Sequence, residues 1–495
     1  MATQDKLVKI GKEGFALLDE AYGRSKKPAR SRVPTATTTQ AYDHYHHQYY
    51  NNQLHYVYRG PQVITVLEPV IDSNQAAQFY GGMSVVDHAL ACNFNAAAAD
   101  DNAKAISQGG APDPTEKVFN VLQFGAKIGE KEEPESIESN HMAFVQAFQA
   151  ACKHIGKARL LIPKETFVLG PVTFTGPCKN PTPLTVQVQG TLKAISDISE
   201  FPGEGEEWIN FQSINGLIVT GGGKFDGQGP ASWKYRDTNK DNDAPGQRLP
   251  ANIQFVEVTN AVVRRITSLN SKGFHLFITQ CQNIRLYHLN ITAPDNSPNT
   301  DGIHISQSNL VKIAKSSIGT GDDCIGMIRG CSNISIKKVT CGPGHGISVG
   351  SLGKYDNETD VKGIIVKDCT LVGTQNGVRI KTYEGKSESQ ASGLLFQDIV
   401  MKDVKRPIII NQFYGGKMDS IVKINDIRFV NVTGTSVSKV AVDIACSKQF
   451  PCQKVHLSNI NLKYSGMDND KTPFSSSCVN AQVGYNGMQL PPPCH

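Results

Sequence analysis

From about residue 118 onwards the chain repeats a short unit, in which a polar residue, usually Asn or Ser, precedes two brief runs of alternating apolar and polar residues. Three clear copies, NGLIVTGGG, NAVVRRITSLN and NIRLYHLNI, begin at Asn215, Asn260 and Asn283. Alternation with a period of two is typical of β-strands that have one buried face. Except for one double step, between Asn215 and Asn260, the starts are about 23–31 residues apart. This spacing indicates a solenoid, in which successive coils stack on one another.

One segment, residues 139–155, has the spacing of an amphipathic helix instead. Ser139 or Asn140 is the predicted N-cap. The apolar residues that share one face are Ala143, Phe144, Phe148, Ala151 and Ile155. With so little helix between the strands, the pattern favours an all-β right-handed parallel β-helix with one N-terminal capping helix over a βα-barrel or a leucine-rich horseshoe. Outward residues of successive coils would then line a groove suited to an extended polymer.

The first part of the chain differs in character from the repeats. Residues 1–93 are interpreted as a non-homologous, largely disordered extension, 94–116 as an Ala-, Asp- and Gly-rich linker, and 117–495 as the β-helix domain. The extension holds a basic run, Arg24–Arg32, and a His/Tyr tract, Tyr42–Tyr58. A solvated tail accounts for both better than a nuclear signal or a metal site does.

Twelve cysteines and four N-glycosylation sequons favour a secreted protein of the cell wall. The pairs predicted to form disulfides that staple loops are Cys324/Cys341, Cys446/Cys452 and Cys478/Cys494. The sequons begin at Asn290, Asn333, Asn357 and Asn431. Met1–Lys27 carries acids and lysines throughout, so it is not recognisable as a secretory signal peptide.

The charge and hydropathy of the chain limit its partners. A formal net charge of +5 is too small to indicate nucleic acid, and no run of 18 apolar residues could span a membrane. A mildly basic surface does suit an acidic polymer. We therefore expect a monomer whose partner is an acidic polysaccharide, with neither nucleic acid nor a membrane involved.

Four polar segments stand out within the repeats. They are SPNTDGIHI (Ser297–Ile305), GTGDDCIGM (Gly319–Met327), CGPGHGISVGSLG (Cys341–Gly353) and NGVRIKTY (Asn376–Tyr383). Motifs one coil apart in a solenoid lie directly above each other. The sequence therefore predicts that all four segments meet on one face.

These segments supply the groups that cut a glycosidic bond. Hydrolysis needs one protonated and one ionised carboxyl group. Clustering Asp301, Asp322 and Asp323 would raise the pKa of one of them, since like charges disfavour joint ionisation. An isolated Asp-Asp pair in a glycine turn would more often cap a loop. Arg379 and Lys381, which point outward from one strand, could present two cations to a sugar carboxylate, so the substrate indicated is an acidic polysaccharide.

The four segments are very similar to the signature blocks of plant polygalacturonases, family 28 glycoside hydrolases. Weaker similarity extends over roughly residues 117–480. The segments NSKGFH (Asn270–His275) and RIKTYE resemble the exo-acting, pollen-type subgroup more than the endo-acting one. The resemblance implies hydrolysis of α-1,4-galacturonosidic bonds in polygalacturonate, the backbone of pectin, with inversion and without a metal or other cofactor.

The resemblance also implies a role for each site residue. Asp322 would be the general acid, and Asp301 with Asp323 would hold and activate the water. His345 would tune the protonation of the acid. The residues implied to bind galacturonate are Asn299, Arg379, Lys381 and, at a further subsite, Tyr414.

The chain departs from the family pattern at residues 409–417, which read IINQFYGGK. The family has an Asp-Gln-x-Tyr-Cys block here, so Asn411 replaces the acid and Gly415 the cysteine. This departure leaves open a catalytically impaired, pectin-binding wall protein. Rhamnogalacturonan hydrolase is another alternative, against which Arg379 and Lys381 favour a uronic acid at the cut site. A pectate lyase would share the fold but would depend on calcium.

Overall fold

Short parallel strands joined by tight bends build most of this protein. We describe a computed structural model, which places residues 115–201, 207–236, 248–385, 388–416, 419–467 and 472–494. All of these belong to one compact unit within Gly82–His495. The proposed N-terminal extension, residues 1–93, and all but the last two residues of the proposed linker, 94–116, lie outside the described residues.

Thirty strands and one α-helix, α1 (Pro134–Lys153), are present within the described ranges. The first fifteen strands are β1 (Lys117–Asn120), β2 (Ala158–Ile162), β3 (Thr166–Leu169), β4 (Val172–Thr175), β5 (Leu184–Val188), β6 (Thr191–Ala194), β7 (Ile209–Gln212), β8 (Asn215–Thr220), β9 (Lys224–Asp226), β10 (Ile253–Val256), β11 (Thr259–Arg264), β12 (Thr267–Leu269), β13 (Leu276–Thr279), β14 (Gln282–Tyr287) and β15 (Asn290–Thr292). The others are β16 (Ile303–Ser306), β17 (Asn309–Gly319), β18 (Ile325–Met327), β19 (Ser332–Cys341), β20 (Ile347–Leu352), β21 (Val361–Lys367), β22 (Thr370–Val372), β23 (Asn376–Thr382), β24 (Gln390–Val404), β25 (Arg406–Asn411), β26 (Lys423–Ser436), β27 (Val440–Ala445), β28 (Cys452–Tyr464), β29 (Ser475–Val479) and β30 (Ala481–Leu490).

The strands form two long parallel sheets. The smaller has eleven strands in the order β4, β7, β10, β13, β16, β18, β20, β23, β25, β27 and β29, and the remaining nineteen form the larger sheet. Each coil contributes one strand to the smaller sheet before the chain bends into the larger one. This confirms the predicted fold, an all-β right-handed parallel β-helix with one N-terminal helix.

In two of the repeats, the asparagine near the start lies at the bend between the two sheets. Asn260 and Asn283 have φ angles of 56° and 57°, in the left-handed region that Asn tolerates better than most residues. Their side chains also stack from coil to coil: Nδ2 of Asn283 donates to Oδ1 of Asn260 at 2.7 Å, and Nδ2 of Asn260 donates to Oδ1 of Asn215 at 2.8 Å. In these coils the asparagines therefore support both the turn and the stacking register.

The apolar positions of the repeat fill the space between the sheets. Aromatic rings stack along this core, with Phe211 lying 5.3 Å from Phe174 and 5.4 Å from Phe255 between ring centroids. All three side chains are buried. Aromatic contacts of this kind stabilise a core more than the burial of their apolar surface alone would. They therefore help to fix the register of successive coils.

Helix α1 covers the first coils, but it begins and ends earlier than the predicted segment 139–155. It begins at Pro134, because proline suits the first turn of a helix, where its missing N–H costs nothing. The chain leaves the helix at His154, which is extended, so Ile155 is 82% exposed rather than buried. The other four residues of the predicted apolar face are buried.

The predicted N-caps, Ser139 and Asn140, are wrong, since Glu133 precedes the first turn. Asn140 lies inside the helix and is buried. Its Oδ1 accepts from the Lys127 backbone N–H at 2.6 Å, and its Nδ2 donates to the Val168 carbonyl at 2.8 Å. It therefore anchors the helix to the first coils instead of capping it.

The three predicted disulfides, Cys324–Cys341, Cys446–Cys452 and Cys478–Cys494, are present. A fourth, Cys152–Cys178, ties the end of α1 to the loop after β4. The sequon asparagines Asn290, Asn333 and Asn357 are exposed, and Asn431 is half-buried. Within the described ranges, no helix has the length and apolarity needed to cross a membrane.

Candidate active site

Strand register brings the four polar segments together, as the sequence predicts. The positions paired across β16, β18, β20 and β23 are His304, Gly326, Ser348 and Arg379. Asp301, Asp323 and His345 each stand three residues before the paired position of their own coil. Adjacent parallel strands lie roughly 4.8 Å apart, so these side chains stack at one edge of the smaller sheet.

Asp323 lies at the centre of this cluster and is buried. Its Oδ1 accepts from Nη2 of Arg379 at 2.6 Å and from Oγ of Ser348 at 2.8 Å, and its Oδ2 accepts from Nζ of Lys381 at 2.9 Å. Burial raises the pKa of Asp323, but the charges of Lys381 and Arg379 lower it by more. The resulting pKa is about 2. Asp323 is therefore an ionised carboxylate over the whole physiological range.

Asp301 has the opposite electrostatic environment. Burial raises its pKa well above the ordinary value, and the neighbouring charges of Asp322 and Asp323 raise it further. Its Oδ2 lies 2.6 Å from Nδ1 of His304. Two neighbouring carboxyl groups with pKa values pushed apart provide one stable anion and one group that readily takes up a proton.

Asp322 is the most accessible of the three acids. Its side chain is 23% exposed, against 7% for Asp301 and 3% for Asp323. Its Oδ1 accepts from the Asp323 backbone N–H at 2.8 Å and lies 2.9 Å from Nδ1 of His345, itself 34% exposed. Of the three carboxyl groups, Asp322 is thus the most open to a ligand in the groove.

Two contacts within the site were not anticipated from the sequence. Burial lowers the pKa of His304 to about 3, so its imidazole is neutral, and it stacks on Phe274 at 4.1 Å between ring centroids. Ser348 bridges two groups, since its Oγ accepts from Nε of Arg379 at 2.9 Å while donating to Asp323. The alternation in IHIS and ISVGSL does place both residues outward, which is the signal that could have found them.

The predicted substrate-binding cations occupy internal positions. Arg379 and Lys381 both hold Asp323, rather than standing alone in the groove. Nζ of Lys381 also lies 5.1 Å from the ring centroid of Tyr414. Oδ1 of Asn299 accepts from Nη2 of Arg236 at 2.6 Å. The structure therefore groups Tyr414 with the cations and gives Asn299 a separate basic partner.

The unusual segment after β25 is a packed turn. Oδ1 of Asn411 accepts from the Phe413 backbone N–H at 2.9 Å, and the side chain of Gln412 is buried and donates to the Val422 carbonyl at 2.8 Å. Gly415 has a φ of 76°, and a Cβ there would lie 2.2 Å from the ring of Tyr383. Glycine in place of the family's cysteine thus makes room for the Tyr383 ring, which packs edge-on against Tyr414.

Asp322, Asp323 and His345 are also the residues that could hold a metal ion in the described part of the chain. One ligand atom from each lies within 4.8 Å of the others. Both oxygens of Asp323 are, however, already bound by cationic side chains.

The carboxylate oxygens of Asp322 and Asp323 also lie closer together than the roughly 6.5–9.5 Å typical of the two acids in an inverting hydrolase. Adjacent positions in the chain explain that short distance.

Comparison with known proteins identifies the family of this chain. Residues 152–486 match the model of glycosyl hydrolases family 28. The chain is similar to the exopolygalacturonases of Platanus acerifolia, at 41% identity over 380 residues, and Oenothera organensis, at 45% over 358 residues. These alignments cover 76% and 71% of this chain and 97% of each relative.

The fold is similar to that of a solved bacterial structure. The exopolygalacturonase from Thermotoga maritima has a TM-score of 0.63 and 18% identity, covering 77% of this chain and 92% of that one. Such low identity supports the shared fold, while the family assignment rests on the sequence match over more than half of the chain. The chain belongs to glycosyl hydrolases family 28.

Proposed function

We propose that this protein hydrolyses α-1,4-galacturonosidic bonds in polygalacturonate as an exo-acting enzyme, and so contributes to cell wall modification. The observation that carries the proposal is the ionised Asp323, clamped by two cations beside the accessible Asp322–His345 pair. The two plant relatives from Platanus acerifolia and Oenothera organensis are exopolygalacturonases, which supports the exo assignment.

In the proposed mechanism Asp322 is the general acid. Its accessible carboxyl donates a proton to the glycosidic oxygen, and His345, 2.9 Å away, sets its protonation. Asp301 accepts the proton of the attacking water, because a base with a raised pKa takes up a proton more readily. Asp323 stays ionised and orients that water. Attack from the face opposite the leaving group inverts the anomeric centre.

The cations would bind the carboxylate of the substrate next to Asp323. In the described ranges, Nη1 of Arg379 makes no hydrogen bond, since the contacts of this guanidinium use Nε and Nη2. A substrate carboxylate could bind there while Lys381 retains Asp323. Tyr414 and Asn299 would contact neighbouring parts of the sugar chain.

We further propose that the chain acts as a secreted monomer at the cell wall. Four disulfides in the described part of the chain suit an oxidising compartment. Three exposed sequon asparagines offer surface sites for glycans.

The test is expression of the full chain through a secretory route, followed by incubation with polygalacturonate. We expect new reducing ends, release of galacturonate monomer alone, and a product whose initial anomeric form, read by NMR, is inverted. Chelation of divalent ions should not reduce the rate, and no unsaturated product should absorb in the ultraviolet. Mixed oligomers would overturn exo action, and cleavage of rhamnogalacturonan alone would overturn the substrate.

The absence of a side chain at residue 326 is expected to matter for catalysis. A Cβ at Gly326 would lie 3.0 Å from Oδ2 of Asp301 and 3.4 Å from Nδ1 of His304, so the Asp301–His304 pair would have to move. Because small displacements of catalytic groups are costly, we expect Gly326→Ala to lower kcat by about tenfold or more. Gly129→Ala is the matched control, since a Cβ there meets nothing within 4 Å. Equal kcat in both variants would contradict the proposed positions of these groups.

A further inference from the structure

A second polar pocket lies beyond the carboxylate cluster, at the start of β25 and β27. It is an open cavity of about 400 Å³, within the range of roughly 300–1,000 Å³ common for small-ligand sites. The residues that line it are Lys405, Arg406, Ser438, Lys439, Val440 and Asp443. Three cationic residues and one acidic residue therefore line the pocket, which makes it suited to an anion.

Strand register places this pocket on the same edge of the sheet as the catalytic cluster. Arg379 pairs with Ile409, which pairs with Asp443 on β27. Arg406 stands three residues before Ile409, which is the position of Asp323 relative to Gly326. From β18 to β25 is three strand steps, or roughly 14 Å at the usual spacing. The pocket therefore continues the groove towards the C-terminal coils.

The guanidinium of Arg406 retains unused hydrogen-bonding capacity. Its Nε is buried and has no hydrogen-bond partner in the described part of the chain. Buried donors are normally satisfied, so this nitrogen could donate a hydrogen bond after a small movement of the Arg406 side chain. Asp443 is partly buried, which raises its pKa, although Arg406 opposes that effect. Nζ of Lys439 lies 3.9 Å from the ring centroid of Tyr464, a contact that positions the ammonium group.

We propose that this pocket is a distal subsite for the acidic polysaccharide, in which Arg406, with Lys405 and Lys439, binds the carboxylate of a uronate unit farther along the chain from the bond that is cut. Arg406 can bind a carboxylate through two nitrogen donors. Asp443 accepts hydrogen bonds from hydroxyl groups of the same sugar. The inference rests on the proposed function, because it assumes that the acidic chain lies along this groove.

The test compares kcat/KM for digalacturonate and hexagalacturonate, using the full chain. We expect Arg406→Gln to lower kcat/KM for the hexamer by about tenfold, the effect of one charge-assisted hydrogen bond. The dimer is too short to reach the pocket from the cut site, so its kcat/KM should change by less than about twofold. Lys362→Gln removes one exposed cation on the larger sheet and should leave both substrates unaffected.

Equal losses on both substrates, or no loss on either, would overturn the subsite. Lys405→Gln, a change at an exposed residue, provides a second variant if Arg406→Gln does not fold. If the unmodified protein cleaves neither oligomer, the proposed function fails, but calorimetric titration with hexagalacturonate still decides the subsite. Weaker binding in the variant supports it, and unchanged affinity overturns it.

Discussion

Replacing Asp322 by Asn is expected to lower kcat on polygalacturonate by about 10²–10⁴-fold, the usual contribution of a general acid, while KM changes little. The substituted asparagine would keep the size of the side chain but could not donate a carboxyl proton to the leaving oxygen. Asp323 is already clamped by Arg379 and Lys381, and Asp301 is less exposed than Asp322 and is the proposed base. We therefore expect neither carboxyl group to replace Asp322 as the acid. Steady-state assays of reducing ends measure both constants.

The matched control for Asp322→Asn is Asp368→Asn, in a turn of the larger sheet. Asp368 has a φ of 54°, a conformation that Asn also tolerates. It lies 3.5 Å from Lys337 in a partly exposed ion pair, which contributes little to stability. The control should retain full kcat. Activity of Asp322→Asn equal to that of the control would exclude Asp322 as the acid.

The sequence was sufficient to predict the architecture, because one short unit repeats many times. Each copy carries the same polar position, such as Asn260 or Asn283, and the same alternating apolar run, so every coil supplies independent evidence for the register. The register in turn predicts which segments stack. For this reason Asp301, Asp323, His345 and Arg379 could be placed on one face without a structure.

The sequence was insufficient where a contact depends on side-chain direction or on a single irregular step. Burial decides that Arg379 and Lys381 hold Asp323, because a carboxylate removed from water needs charge partners. The pairing of Cys152 with Cys178 joins a helix end to a loop outside the repeat, so the repeat does not predict it. The start of α1 at Pro134 depends on local proline chemistry in the irregular link that precedes the first full coil.

The electrostatic design of the site follows from combining these contacts. Three carboxyl groups share one edge of the sheet, but the two nearby cations both bind Asp323. Among the described residues, Asp301 has no cation bound to it in this way, and burial together with the charges of Asp322 and Asp323 raises its pKa. The site therefore combines one carboxylate that stays ionised, Asp323, with the proposed acid Asp322 and the proposed base Asp301. Removing one of the two cations should therefore change the pKa of Asp323.

Arg379→Met is expected to destabilise the fold by about 3 kcal/mol at neutral pH, because breaking a buried pair leaves a charge poorly compensated. Ser348 would lose the donor to its Oγ, and Asp323 would keep only Lys381 and Ser348. The pKa of Asp323 should rise from about 2, since burial would then be opposed by one cation instead of two. The acid limb of kcat/KM should accordingly move to higher pH, and activity should fall because the proposed carboxylate site is lost.

The pH dependence of the stability difference distinguishes an unpaired Asp323 carboxylate from a general packing defect. A carboxyl group with a lowered pKa stabilises the fold above its unfolded pKa and loses that contribution as pH falls through its folded pKa. The stability difference between Arg379→Met and the unmodified protein should therefore be largest at neutral pH. It should narrow as pH falls from the raised folded-state pKa of Asp323 in the variant towards the value of about 2 in the unmodified protein. Urea unfolding at a series of pH values measures this difference. Arg285→Met, at an exposed position of the larger sheet, is the matched control and should show almost no difference at any pH. A difference for Arg379→Met that stays constant with pH would indicate lost packing instead of an unpaired Asp323 carboxylate.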